Sequence, residues 1–287
     1  MWILWFLLVL AIRDVVQRPH TITHNFPIIG HIRYLFENIG PEIRQYFIAN
    51  NREELPFNRR ERSWIYASAK QENNYQGFGS DQDFYTPNYH FIKPALFPLK
   101  LPENHINTGN PYFVPCAKVI GLANKRKRPF RPYSILNISA MSYGSLSARA
   151  IESLNMGAHK AGAYHNTGEG VLSPYHSNGA DVVFQFGTGY FGIRTPDGNL
   201  DLNKLEKLAE NNSFVRAIEI KLSQGAKPGK GGVLPGAEIT SEIAAIRHVE
   251  MGKDVVSPAS HKAFSTIDEL LALMEEIAER TGLPVGI

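Results

Sequence analysis

Cysteine is almost absent from this chain of 287 residues: Cys116 stands alone. That excludes an internal disulfide and any metal or iron–sulfur centre held by cysteines of this chain. An excess of one charge sign is missing too. The 30 Lys and Arg against 27 Asp and Glu leave a formal net charge of +3, too little to argue for a nucleic-acid partner. The one basic run, Lys125 to Arg128 in ANKRKRPFRP, reads as a solvated loop leading into a strand, so no nucleic acid is expected. Long apolar runs are also lacking. Trp2 to Ile12 is uninterrupted but well short of the roughly 20 residues that cross a bilayer. It has neither a basic start nor a small-residue cleavage site, against a secretory signal. Three readings stay open for it: an interfacial anchor, the remnant of a longer membrane helix, or a helix docked on the body. If it inserts, Arg13 and Arg18 favour a cytoplasmic body, so the expected location is cytoplasmic, with membrane contact through residues 2–12. A phosphate loop is missing as well. In QGAKPGKGGVLPG, residues 224–236, three residues rather than four separate Gly225 from Gly229, and Gly231 follows Lys230 where Ser or Thr is required.

What is present is an ordinary globular composition, 43% hydrophobic and 20% charged. Three segments differ in character. Residues 1–20 are the hydrophobic start. Residues 21–132 are aromatic- and proline-rich and read as an irregular layer, with helix-like pieces such as PEIRQYFIANN between the turn-dense QGFGSDQDFYTPNY and PENHINTGNPYF. From 133 to 287 short apolar runs alternate with helix patterns, the signature of βα units on a parallel sheet. The strands are read in SILNISA, AYHNTGEG, DVVFQFGTG, RAIEIKLS, DVVSPAS and PVGI. The helices are read in SARAIESLNMGAHKAG, with Ser147 as N-cap, LNKLEKLAE, TSEIAAIRHV and TIDELLALMEEIAERTG.

Within AIEIKLS the residues Ile218, Ile220 and Leu222 share one face, and Glu219, Lys221 and Ser223 share the other. Apolar residues under outer helices leave the polar face to a barrel interior or a ligand. The loops SAMSYGS, NTGEG, FGTGYFG, QGAKPGKGG and SPASH each follow a strand, where TIM-barrel sites are assembled. The expectation is therefore α/β, a partial (β/α)8 TIM barrel with an irregular N-terminal layer. Residues 133–287 hold five or six strands, fewer than the roughly 200–250 residues of a closed barrel provide, so an open sheet or a C-terminally truncated barrel is expected.

The motifs ISAMSYGSLSARAIESLNMGAHKAGAYHNTGEG, FQFGTGYFG, IKLSQGAKPGKGGVLPG and GKDVVSPASHKAFSTIDEL, with NFPIIGHIRYLFE and GPEIRQYF more loosely, resemble the FMN-binding synthase domain of glutamate synthases. The likeness is to the stand-alone glutamate synthase-like proteins. It implies an oxidoreductase in which reduced FMN delivers hydride from N5 to C2 of 2-iminoglutarate, formed from 2-oxoglutarate and ammonia. It places Ala140, Met141 and Ser142 beneath the flavin. It makes Asn166 and Gln185 candidates for hydrogen bonds to the ring, and Lys221 a candidate for charge stabilisation at N1 and C2=O. The alternative for Lys221 is an ion pair with Glu219 or another interior carboxylate. Lys227 and Arg247 match positions that bind the dicarboxylate substrate, and Glu169 would relay a proton or organise its loop.

Two positions depart from the family pattern. Val233 stands where a glutamine contacts substrate, and Tyr190 where an arginine precedes Phe-Gly. Losing a hydrogen-bond donor changes which dicarboxylate a site accepts. Val171 replaces a second glycine in its loop, which restricts the backbone there. His165, His176 and His261 lack metal-ligand spacing and read as pocket wall or core, so no metal site is expected. With no N-terminal cysteine nucleophile, ammonia is expected from solution or another protein, and the electron donor is also separate. The family's iron–sulfur cysteines, the last strands and the FMN phosphate clamp fall beyond Ile287. Two other readings stand beside this one: a truncated non-catalytic fragment or membrane-associated interaction protein, and a flavin barrel oxidising 2-hydroxy acids with a histidine from outside this chain.

Overall fold

The computed structural model describes residues 1–72, 85, 87, 95–97, 116–225 and 229–287. The chain divides into two compact units, Met1–Pro98 and Leu99–Ile287.

The first unit is helical where it is described. Helix α1 spans Trp2–Val16, α2 Thr21–Asn25 and α3 Gly30–Ile43, which runs on into a π-helical turn at Arg44–Ile48; α4 is Arg59–Ala69. A capping box fixes the start of α4, with Asn58 accepting from the Glu61 N–H and Glu61 accepting from the Asn58 N–H. At the other end of the unit, buried Asp14 ties α1 to α3. Its carboxylate accepts from the Ile28 N–H at 3.0 Å and meets His31 Nε2 at 2.9 Å. The Ile28 hydrogen bond comes first in holding the Asp14 carboxyl below the usual carboxylate range. No helix among the described residues is long and apolar enough to cross a membrane. The stretches QGFGSDQDFYTPNY and PENHINTGNPYF fall almost wholly outside the described residues.

The second unit is an α/β arc of parallel strands. Strand β1 is His165–Asn166, β2 Val182–Phe186 and β3 Val215–Ile220; β6, Val285–Gly286, closes the row beside β3. A parallel bridge from Ile138 to His165 extends it on the other side. The intervening helices are α5, Ala148–Ala161, α6, Leu202–Asn211, and α8, Ile267–Thr281. The N-cap read at Ser147 is built as expected, its Oγ accepting from the Ala150 N–H, and α8 starts with a capping box of Thr266 and Glu269. Phe184, Phe186, Ile218 and Ile220 pack against Leu205, Ala209 and Ile277 of α6 and α8. Each such fully buried side chain contributes about 1.5–3 kcal/mol.

The opposite face of the strands is layered. Val183 and Ala217 pack on Phe130 at the amino-terminal end of the strands. Two residues further along, Gln185 and Glu219 lie side by side in register, and beyond them stands Lys221. The alternation read in AIEIKLS holds through Lys221. It fails at Leu222, 43% exposed, because β3 ends at Ile220.

One strand of the sequence reading is corrected. DVVSPAS does not join the parallel row. Its β5, Val255–Val256, pairs antiparallel with β4, Val233–Leu234, so β6 follows β3 directly. Leu234 and Val255 pack instead with Tyr143, Ile151, Ile239 and Ile243. Those last two belong to the segment of α7, Ser241–Arg247, and its approach.

Candidate active site

The residues proposed for the site from sequence fall at the carboxyl ends of the parallel strands, except Arg247, which ends α7, and Lys227. Lys227, with Ala226 and Pro228, lies outside the described residues. Asn166 ends β1, Gln185 is the penultimate residue of β2, and Glu219 is on β3. Glu219 gathers the two amides: its Oε1 accepts from Asn166 Nδ2 at 3.0 Å and from Gln185 Nε2. Asn166 Oδ1 accepts in turn from the Gly168 N–H at 3.0 Å, which starts the NTGEG turn.

A second polar group sits at the strand tips. Lys221 Nζ lies 3.3 Å from Glu169 Oε1 and donates to Gln224 Oε1 at 2.9 Å, while Gln224 Nε2 donates to the same Glu169 oxygen at 2.5 Å. Lys221 pairs with Glu169 and not with Glu219. Two of its three ammonium protons are engaged, leaving one to donate elsewhere. Gln224, absent from the sequence reading, is the residue that joins this pair to the glycine-rich loop. Its place at the end of IKLSQ was the available signal.

Glycines allow the close approach. A Cβ at Gly168 would come within 2.8 Å of the Ser142 nitrogen, and one at Gly170 within 2.9 Å of an Arg247 guanidinium nitrogen. Gly187 backs directly onto the Glu169 carboxylate, and a Cβ at Gly232 would lie 3.1 Å from both Glu169 and Gln224. The loop that failed as a phosphate loop thus serves as a wall: Gly231 backs on the Ser257 carbonyl and Gly232 on the carboxylate.

Arg247 closes α7 and is only 5% exposed. Its Nη2 donates to the Tyr143 carbonyl at 2.6 Å, its guanidinium stands 5.5 Å from the Phe191 ring centroid, and its Nε is buried without a partner. Burial lowers the guanidinium pKa, and nearby Glu169 opposes that shift. Arg247 therefore reaches the NTGEG loop from behind, with one donor still open.

Of the two departures, Tyr190 is not at the pocket. It is fully buried, and its hydroxyl accepts from the Lys262 and Ala263 N–H groups, each at 3.1 Å, with His261 Nδ1 at 3.0 Å. His261 Nε2 lies 2.9 Å from the Lys221 carbonyl. With both hydroxyl lone pairs engaged, the hydroxyl proton points to Nδ1 and the imidazole carries its own on Nε2. Burial, the first cause of its lowered pKa, keeps that ring neutral. Val233 is half exposed and follows Gly232, so it does border the Glu169 wall. His165 and His176 are fully buried, as the core reading required. No group of three or more His, Cys, Asp or Glu suited to a metal occurs among the described residues.

A flat ring system with a polar edge suits what is present. Ile138, Ser139 and Ala140 line a cavity of about 370 Å³ together with Ile135, Asn137, Tyr164, Asn166 and Glu219. Ala140 and Met141 are exposed beside it. The donor set there is the side chains of Asn137, Asn166 and Glu219 beside a short ledge at Ile138–Ala140, with the Lys221 ammonium outside this lining at the strand tips.

The glutamate synthase family model, described as a conserved region in glutamate synthase, matches residues 112–287. The glutamate synthase large subunit-like protein YerD of Bacillus subtilis is 38% identical over 307 aligned residues, covering 96% of this chain and 58% of that protein. The archaeal-type glutamate synthase [NADPH] of Thermotoga maritima is 38% identical over 152 residues, 52% of this chain and 27% of its own length. The glutamate synthase [NADPH] large chain of Azospirillum brasilense is 32% identical over 173 residues, 58% of this chain and 10% of its own. The chain thus spans little more than half of the longest-matched of these relatives, and less of the others.

Proposed function

The chain belongs to the glutamate synthase family, and from that premise we propose that it contributes the flavin and substrate face of an FMN-dependent reductive amination of 2-oxoglutarate, through 2-iminoglutarate, to glutamate. The observation that carries the reading is the stacking of two polar layers beside an exposed apolar ledge: Asn166, Gln185 and Glu219 below, Lys221, Glu169 and Gln224 above.

The chemistry FMN supplies when bound is hydride delivery to the substrate carbon. Ala140, Met141 and Ser142 offer the ledge for its ring. Asn166 and Gln185 offer amides at the ring edge. With FMN bound, Lys221 would offer its remaining proton to the ring's polar edge, where a fixed cation would stabilise developing negative charge. Glu169, held by Lys221 and Gln224, keeps its carboxylate in place as a proton acceptor and organises the loop. Substrate carboxylates are assigned to Lys227 and Arg247, a cation at each end of a dicarboxylate. Val233 removes an amide from the wall, so a dicarboxylate other than 2-oxoglutarate is the specific rival substrate. Ammonia, the electron donor and any iron–sulfur cluster come from beyond these residues.

Titration of the chain with FMN, followed by flavin fluorescence, tests this. Saturable quenching is expected, and Lys221→Met weakens it about tenfold, a loss of roughly 1.4 kcal/mol. Binding indifferent to Lys221→Met sinks the assignment. Steady-state assays with 2-oxoglutarate and ammonia against other 2-oxo dicarboxylates then decide the substrate. There Arg247→Lys is expected to raise KM, since lysine cannot hold the Tyr143 carbonyl and keep a second fixed donor at once.

A further inference from the structure

Helix α1 presents apolar side chains to solvent over most of its surface, apart from the line through Leu7, Leu10, Ala11 and Asp14. No polar residue interrupts Trp2 to Ile12, and Trp2, Leu4, Phe6 and Val9 are 90%, 70%, 66% and 61% exposed. At 100° per residue these and their exposed neighbours span more than half of the circumference. A helix made for a protein groove carries one apolar stripe and a polar back, and α1 has no polar back. An environment that is apolar all round fits it.

Helix α3 adds a different surface in the same unit. Ile32, Phe36, Ile39 and Ile43 recur at helical spacing and are all exposed, while Arg33 and Glu37 pair beside them at 2.7 Å. That is the pattern of a helix lying in a membrane interface. Where α1 meets α3, the charge pattern suits anionic headgroups. Asp14, the one acidic residue of α1, is buried and satisfied by Ile28 and His31. Arg13 and Arg18 are exposed and form no ion pair among the described residues. Trp2 and Trp5 supply the amphipathic rings that favour the bilayer boundary.

We propose that α1 and the exposed stripe of α3 seat this unit in a lipid bilayer surface bearing anionic headgroups. The inference is independent of the flavin reading, since it uses no residue of the second unit.

The test uses the whole chain with Trp64→Phe, which leaves Trp2 and Trp5 as its only tryptophans. Vesicles of phosphatidylcholine with phosphatidylglycerol are expected to carry the chain on flotation. The tryptophan emission is expected to shift to the blue and to be quenched by brominated acyl chains. Leu4→Glu with Leu8→Glu abolishes all three signals while circular dichroism stays unchanged, because both positions are exposed. Arg13→Glu with Arg18→Glu weakens binding to the anionic vesicles by roughly tenfold or more and alters binding to pure phosphatidylcholine little. No flotation with an unshifted emission overturns the proposal. So does a dimer in sedimentation that the Leu4 and Leu8 changes dissolve while vesicles fail to capture the chain, because α1 would then be covered by a second copy.

Discussion

The Tyr190 hydroxyl holds the 257–263 loop to the strand tips through two backbone N–H groups and His261, and His261 passes that hold to the Lys221 carbonyl. Tyr190→Phe leaves both N–H groups and an imidazole nitrogen without their partner, so a loss of about 1–3 kcal/mol is expected in urea unfolding. A loss near zero would mean that water takes over all three bonds. Val171 makes the opposite kind of test. Its φ of +89° and ψ of 159° lie in a region that glycine alone occupies without cost. At an ordinary buried position alanine is more stable than glycine by about 0.5–1 kcal/mol. Here the order reverses: Val171→Gly is expected to unfold at higher urea than Val171→Ala. The sequence marked Val171 as standing in a glycine's place, and the backbone bears that out. It could not mark Tyr190 as core, since FGTGYFG reads as a glycine turn whether its aromatic points in or out. Only the return of the chain at His261, over 70 residues later, gives the hydroxyl its partners.

Local signals carried most of the elements. The cap at Ser147 and the alternation along β3 were legible because each is a pattern within a few residues. The β4–β5 pair was not, because Val255–Val256 has the composition of a barrel strand and only its distant partner shows it to be an excursion. The same excursion carries α7, whose seven residues are far too few to be stable alone. What fixes α7 is Glu242, whose carboxylate accepts from Tyr143 Oη at 2.9 Å and Tyr175 Oη at 2.7 Å. Burial first, and then Glu242, raise the Tyr143 pKa, so the phenol stays a donor. Glu242→Ala removes two hydrogen bonds to a charged acceptor, and a loss of about 2–3 kcal/mol is expected. Hydrogen exchange should show it as faster exchange across α7 with β2 and β3 unchanged. Uniform acceleration through the parallel strands would refute a local clamp. Tyr175→Phe, at an exposed hydroxyl, should cost under about 1 kcal/mol.

Two histidines that fold neutral weaken the second unit in acid. His165 on β1 and His176 are fully buried, with ring centroids 5.1 Å apart, and neither Nε2 has a hydrogen-bond partner among the described residues. His176 Nδ1 accepts from the Ser173 N–H at 3.1 Å, closing the turn that follows the NTGEG loop. Desolvation lowers each pKa from 6.5 to about 4, and for His176 the neighbouring His165 adds to it. Between those values the unfolded chain binds protons that the native chain refuses, so stability must rise with pH across this window. It is fully present above about pH 6.5 and is progressively lost as pH falls toward 4. The unfolded state takes up at most two more protons from this pair, which limits the slope to about 2.7 kcal/mol per pH unit. Urea midpoints measured from pH 7 to 4 are expected to fall along that limb. His176→Gln should reduce the slope, because it removes one of the two sites. Equal slopes in the wild-type and His176→Gln chains would locate the acid sensitivity among the carboxylates instead, with Glu275 and Glu269, both held below the usual range by hydrogen bonds, as the groups to change next.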